Sequence, residues 1–124
     1  MNIARERLTD AETLLDAQRY DGAAYLCGYS IEIALKRKIC QTLNWTGFPS
    51  TNTEFKNYNK YKIHDLDVLL GFTGVEATLK ATHLAEWSAF AIWDPQARYN
   101  PIGVINPADA TLMVRSAKTL LEIL

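Results

Sequence analysis

The chain has 124 residues, enough for one domain whose core needs no disulfide or metal to hold it together. Hydrophobic residues make up 48% of the chain and charged residues 22%, which is typical of a globular protein and excludes a disordered or collagen-like chain. The formal net charge of −1 excludes a domain-wide basic face that would clamp duplex DNA, but it permits a local basic patch.

The sequence gives no sign of export or membrane insertion. No run of about 18 apolar residues predicts a spanning helix, and residues 1–7 are not followed by the apolar region of a secretory signal. Cys27 and Cys40 fall in one predicted helix, about 20 Å apart, so they cannot form a disulfide with each other. Free thiols are typical of a reducing compartment, and we expect a cytoplasmic protein with no membrane segment.

Hydrophobic periodicity predicts two helices in the first third of the chain. The first runs from about residue 2 to residue 18, with Asn2 as its N-cap. Its apolar residues step by three or four and share one face: Ala4, Leu8, Ala11 and Leu15. The second helix runs from about residue 22 to residue 43, with Asp21 as its cap. It is apolar on nearly all sides, so we expect it at the centre of the fold.

Three further helices are predicted between two irregular segments and at the C-terminal end. A short helix spans 65–70, and a longer one begins at Val75 and ends at Ile92 or Trp93, where Asp94-Pro95 stops it. The apolar face of the longer helix is expected to consist of Leu84, Trp87 and Ala91, with Phe90 beside them. Segments 44–63 and 94–107 lack periodicity and are expected to be loops.

The last helix begins at Asn106-Pro107, an N-cap followed by a first-turn proline. Its apolar residues again share one face: Ala110, Met113, Ala117, Leu120 and Leu124. No strand pattern competes with these helices. The sequence therefore predicts a single all-α domain over 1–124, an up-and-down bundle of four main helices plus one short helix.

Few residues of catalytic or metal-binding type occur in the chain. His64 and His83 are the only histidines, and there is no phosphate-binding glycine loop and no Glu-x-x-His pair. His83 and Glu86 lie one turn apart, but two ligands without a third favour a polar surface pair over a metal site. We therefore expect no metal and no other cofactor.

Polar residues on the most apolar helix are the first candidates for a binding site. Glu32 lies between two isoleucines, and Lys36 follows one turn later, in the favourable order for an ion pair. The two residues form either a local ion pair at the edge of the core or part of a groove between helices. In a groove, the partly buried carboxylate needs further partners, and Arg98 is a candidate third member.

Two other segments combine cations with aromatic residues. Arg98 and Tyr99 lie between Pro95 and Pro101, where the arginine either caps the preceding helix or faces the groove. Segment 55–62 interleaves three lysines with Phe55, Tyr58 and Tyr61. This composition suits single-stranded nucleic acid, but it also suits a solvated loop whose aromatic residues pack on the bundle.

Taken together, these residues resemble the HEPN family (higher eukaryotes and prokaryotes nucleotide-binding domains). The resemblance spans nearly the whole chain and is carried by Tyr20–Tyr25, Gly28–Arg37, His64-Asp65-Leu66, and Trp93 followed by Arg98-Tyr99. It implies a bundle of four main helices that is usually dimeric. Many members are metal-independent ribonucleases or toxins, and they are often encoded beside a nucleotidyltransferase that acts as antitoxin.

The resemblance also bears on catalysis. Catalytic members carry an arginine followed, after four to six residues, by a histidine, and Arg98 takes the arginine position. Gly103, Val104 and Ile105 stand where the histidine belongs, and no histidine follows Arg98 anywhere. Metal-free RNA cleavage needs one group to move the 2′-hydroxyl proton and another to stabilise charge on the phosphorus. We therefore expect a non-catalytic member.

The sequence thus predicts a small cytoplasmic HEPN-like homodimer that binds a nucleotide, RNA or a partner protein, such as a nucleotidyltransferase in a toxin–antitoxin-like pair. The residues expected to bind the ligand are Glu32, Lys36, Arg37, Arg98, Tyr99 and Asn100. Two other interpretations stay open. One is a divergent metal-independent endoribonuclease toxin that uses Arg98 with Glu32 or Tyr99. The other is a purely structural dimerisation module in which these residues serve only as ion pairs.

Overall fold

The computed structural model describes residues 2–44, 65–91, 93 and 105–124. Within these ranges the chain forms five helices and no strand: α1 (Ile3–Asp16), α2 (Tyr20–Leu43), α3 (Leu66–Phe72), α4 (Glu76–Ser88) and α5 (Pro107–Ile123). The predicted all-α class, with four longer helices and one short helix, is confirmed. None of the helices in the described ranges is long and apolar enough to cross a membrane.

Helix α2 lies at the centre because it is apolar on most of its sides. It packs against α1, α3 and α5, while α5 also contacts α1 and α4. Its fully enclosed side chains include Ile31, Leu35 and Ile39. The two cysteines of α2 are free, as predicted, and burial raises the pKa of the Cys27 thiol to about 12. This thiol is therefore an apolar filler of the core.

Helices α1 and α5 bury the faces that the periodicity predicts. Each begins at the predicted asparagine cap: the Asn2 side chain accepts a hydrogen bond from the Arg5 N–H (3.3 Å), and that of Asn106 accepts one from the Asp109 N–H (2.7 Å). The buried residues of the two helices include Ala4, Leu8, Ala11, Ala110, Met113, Ala117 and Leu120. Both helices were therefore predictable from one apolar face and one cap.

The start of α2 corrects one prediction: Asp21 is not its N-cap. Gln18 adopts a φ of 62°, so the chain reverses within a few residues and α2 begins at Tyr20, two residues earlier than predicted. Arg19 takes the cap position without a side-chain cap hydrogen bond, and Asp21 lies in the first turn. Its carboxylate accepts a hydrogen bond from the Ile105 N–H (3.1 Å), which ties α2 to the start of α5.

Helix α3 and its turn into α4 are held by polar side chains. Asp65 caps α3 by accepting hydrogen bonds from the N–H groups of Asp67 (3.0 Å) and Val68 (3.2 Å). The turn after α3 contains Gly74 at a φ of 82°, a conformation that favours glycine. The Thr42 hydroxyl donates to the carbonyl oxygen of Thr73 at 2.6 Å, which anchors the turn on the end of α2.

Helix α4 is shorter than predicted, because it ends at Ser88 rather than at Ile92 or Trp93. After Ser88 the backbone tightens into turns in which an N–H bonds the carbonyl three residues earlier, as in the 3.0 Å bond from Trp93 to Phe90. Segments 45–64 and 94–104, which include most of the two predicted loops, lie outside the described residues.

A kink within α4 corrects its predicted apolar face. His83 has non-helical dihedral angles (φ −137°, ψ 39°), so the residues after it are rotated relative to those before it. As a result Leu84 is 57% exposed, and Ala91 is exposed as well, whereas Trp87 and Phe90 are buried as predicted. The helical period of 3.6 residues does not continue through the kink, so it does not predict which residues after His83 are buried.

Candidate functional site

The predicted ion pair between Glu32 and Lys36 is present on the central helix. Lys36 Nζ lies 3.2 Å from Glu32 Oε2, and the two side chains differ in burial: that of Glu32 is 4% exposed and that of Lys36 is 23% exposed. The carboxylate therefore lies inside the bundle, and the ammonium lies at its edge. Moving such charges out of water costs several kcal/mol per ion, which mutual attraction only partly offsets.

Two tyrosines that were not among the predicted site residues share a face with this pair. Tyr25, Tyr29, Glu32 and Lys36 step by four, three and four, so they line one side of α2. The tyrosine rings are stacked, with centroids 6.5 Å apart and planes 2° from parallel, and Tyr29 is exposed. We call these four residues the α2 stripe. The i, i+4 tyrosines in register with Glu32 and Lys36 were the sequence signal for it.

Trp93 flanks the α2 stripe and is fixed there by two contacts. Its indole N–H donates to the carbonyl oxygen of Tyr25 at 3.2 Å. Its ring also packs so closely on Gly28 that a Cβ at this position would overlap the indole. Gly28 is therefore required by the close approach of the indole ring.

The remaining predicted site residues are placed as follows. Arg37 is exposed, but it lies about 100° around the helix from Lys36, so it borders the α2 stripe and does not belong to it. Arg98, Tyr99 and Asn100 lie outside the described residues, as does His64. The role of Arg98 as a third partner of Glu32 and Lys36 therefore stays a prediction.

His83, at the α4 kink, contacts the side chain of its neighbour Thr82. The Thr82 hydroxyl donates to the carbonyl oxygen of Thr78 (2.8 Å) and also lies 2.8 Å from His83 Nδ1, within hydrogen-bond distance. His83 is therefore hydrogen-bonded within α4 itself. Within the described ranges, no group of three or more His, Cys, Asp or Glu residues is placed to hold a metal ion.

Comparisons with protein-family models, with curated proteins and with solved structures give no match to this chain. The α2 stripe, with Trp93 beside it, is the arrangement of polar and aromatic side chains on which we base a function. It combines two aromatic faces, one carboxylate and one ammonium within about 17 Å of helix length.

Proposed function

We propose that the chain is a small cytoplasmic HEPN-like protein that binds a nucleotide or a short single-stranded RNA at the α2 stripe without cleaving it. The observation that carries the proposal is the ion pair between the buried Glu32 and Lys36 at the edge of the bundle, aligned with two stacked tyrosines on the central helix. Aromatic faces that stack on bases, combined with a cation that meets the phosphate, are typical of surfaces that bind single strands.

The burial of Glu32 supports a role beyond packing. Replacing a buried ion pair by well-packed apolar side chains is often neutral or stabilising, so the fold alone does not require a charge at this position. Ile31 and Leu35 beside it are fully buried, and an apolar residue would suit the same environment. We infer that Glu32 orients the Lys36 ammonium, which reaches the edge of the bundle, towards an anionic ligand.

The resemblance to HEPN proteins supplies the rest of the proposal. It implies a homodimer and, as a partner, a nucleotidyltransferase in a toxin–antitoxin-like pair. The chain has no histidine after Arg98, which favours binding over cleavage because the histidine at that position in catalytic members is the group suited to move the 2′-hydroxyl proton near neutral pH. Arg98, Tyr99 and Asn100 are proposed to complete the ligand-binding surface.

The test is a fluorescence-anisotropy titration with a labelled ATP analogue and a labelled single-stranded RNA of about ten nucleotides. Lys36→Ala should raise the Kd about tenfold or more, because a charge-assisted contact to phosphate is lost. Lys80→Ala is the matched control: Lys80 is a partly exposed lysine in an i, i+4 pair with Glu76 (3.3 Å) on α4. It should leave the Kd unchanged. Far-UV circular dichroism confirms that both variants are folded.

A cleavage assay separates the alternatives. Total RNA incubated with the wild-type protein in EDTA should stay intact. Cleavage that Arg98→Ala abolishes would establish the endoribonuclease and overturn the proposal. Failure of the wild-type protein to bind either probe would also overturn it, and would favour a structural dimerisation module in which Glu32 and Lys36 only pair with each other.

A further inference from the structure

Trp93 binds the turn of α2 that carries both tyrosines of the α2 stripe. Its indole N–H donates to the Tyr25 carbonyl oxygen at 3.2 Å. In a regular α-helix this oxygen also accepts the N–H of the residue four positions later, which here is Tyr29. A carbonyl oxygen has two lone pairs and can accept both bonds. The indole therefore binds the peptide group through which the backbones of Tyr25 and Tyr29 are linked.

Gly28 allows the indole to approach this turn. Glycine inside a helix is destabilising relative to alanine, and Gly28 lies buried in the interior of α2, directly before Tyr29. A Cβ at this position would overlap the indole of Trp93. The unfavourable helix propensity of Gly28 is thus accompanied by a close ring contact, and this contact lies on the turn that presents Tyr29.

The backbone of Trp93 is held by the chain that leaves α4. The Trp93 N–H bonds the Phe90 carbonyl oxygen at 3.0 Å, and Phe90 is buried in the core. Trp87, three residues before Phe90, is also buried, and its indole N–H donates to Asp67 of α3 at 2.7 Å. Trp93 therefore connects the chain that follows α4 to the turn of α2 on which the tyrosines lie.

The tyrosine stack benefits from this connection because it lies towards the surface. Tyr29 is 38% exposed and Tyr25 is half-buried, and their ring planes are parallel to within 2°. A side chain that becomes fixed only when a ligand stacks on it loses conformational entropy in the binding step. A turn that is already fixed in the free protein removes part of that cost from binding.

We infer that Trp93 is a positioning residue for ligand binding, which fixes the tyrosine stack through its contacts with Tyr25 and Gly28. The inference rests on the proposed function and assigns a role to a residue that was not among the predicted ligand-binding residues. Trp93 acts through Tyr25 and Tyr29, whereas Lys36 meets the phosphate independently of it.

The test compares two tryptophans in the anisotropy titration, with whichever of the two labelled probes binds. Trp93→Phe keeps a ring near Gly28 and loses the bond to the Tyr25 carbonyl, so it should raise the Kd about fivefold. Trp93→Ala loses both contacts and should raise it about twentyfold. Trp87→Phe is the matched control: it loses an indole bond to Asp67 and should leave the Kd within about twofold of wild type. Urea midpoints should fall by similar amounts in the two phenylalanine variants, because each loses one indole hydrogen bond.

The salt dependence of binding separates positioning of the rings from a general loosening of the site. The slope of log Kd against log salt concentration reports the number of phosphate contacts. Trp93→Phe should leave this slope unchanged, because Lys36 still meets the phosphate. Lys36→Ala should make the slope shallower, because it removes such a contact.

Two results would overturn the role of Trp93 and leave the proposed binding standing. One is an equal change in Kd for Trp93→Phe and Trp87→Phe, and the other is a shallower salt slope in Trp93→Phe. A wild-type protein that binds neither the ATP analogue nor the RNA would overturn both the role of Trp93 and the proposed function.

Discussion

The contact between Gly28 and Trp93 predicts that Gly28→Ala destabilises the wild-type protein but stabilises a variant in which the Trp93 indole is absent. In the wild-type protein, the Cβ of Gly28→Ala would overlap the indole ring, so Trp93 must move away and lose its 3.2 Å hydrogen bond to the Tyr25 carbonyl. Overpacking of this kind costs about 1–3 kcal/mol, and the lost hydrogen bond about 1 kcal/mol. The higher helix propensity of alanine returns about 1 kcal/mol. We therefore expect a net loss of about 2 kcal/mol in the free energy of unfolding.

The same substitution should stabilise the protein when the indole is absent. In a Trp93→Ala background nothing opposes the new Cβ, so the helix propensity of alanine should add about 1 kcal/mol. Urea denaturation of the four proteins, followed by far-UV circular dichroism, gives the coupling free energy of the two positions, expected to be about 3 kcal/mol. If Gly28→Ala has the same effect in both backgrounds, the indole does not pack on this glycine and the reasoning is wrong.

Three further predictions test other parts of the structure by urea denaturation. Lys36→Met should destabilise the protein by about 2 kcal/mol, and by more than Glu32→Met does, because it removes the ammonium that pairs with the deeply buried carboxylate. Equal losses of unfolding free energy in the two variants would contradict this burial pattern. Asp21→Ala should lower the free energy of unfolding by about 1–2 kcal/mol through loss of the 3.1 Å bond from the Ile105 N–H. The pKa of the Cys27 thiol is raised from 9.0 to about 12, so between these pH values the unfolded chain ionises while the folded one does not. Stability should fall by about 1.4 kcal/mol per pH unit in that window, and Cys27→Ala should remove this part of the slope.

The helices could be predicted where the sequence shows both a single apolar face and an N-cap residue, as in α1 and α5. The start of α2 could not be predicted, because the turn before it depends on the positive φ of Gln18. Glutamine is not a residue type that favours this conformation. The kink at His83 follows neither a proline nor a glycine; it accompanies a hydrogen bond between a histidine and a threonine. For that reason the exposure of Leu84 escaped prediction.

The candidate site was predictable in its charged part only. Glu32 and Lys36 stand out because they interrupt an apolar pattern, and their spacing fixes the pairing that the structure shows. Tyr25 and Tyr29 are in register with this pair, but their spacing alone does not distinguish them from ordinary core residues. Whether a tyrosine ring is enclosed or exposed depends on which helices pack beside it, and periodicity alone does not give that information.

The attachment of α4 has a consequence for how the fold opens locally. Among the described helices, α4 packs chiefly on α5 and is interrupted at His83, so of the four longer helices it is the one that opens at the lowest free energy. The central helix α2 packs against α1, α3 and α5 and opens only when they separate. Amide protons of α4 are therefore expected to exchange with solvent faster than those of α2.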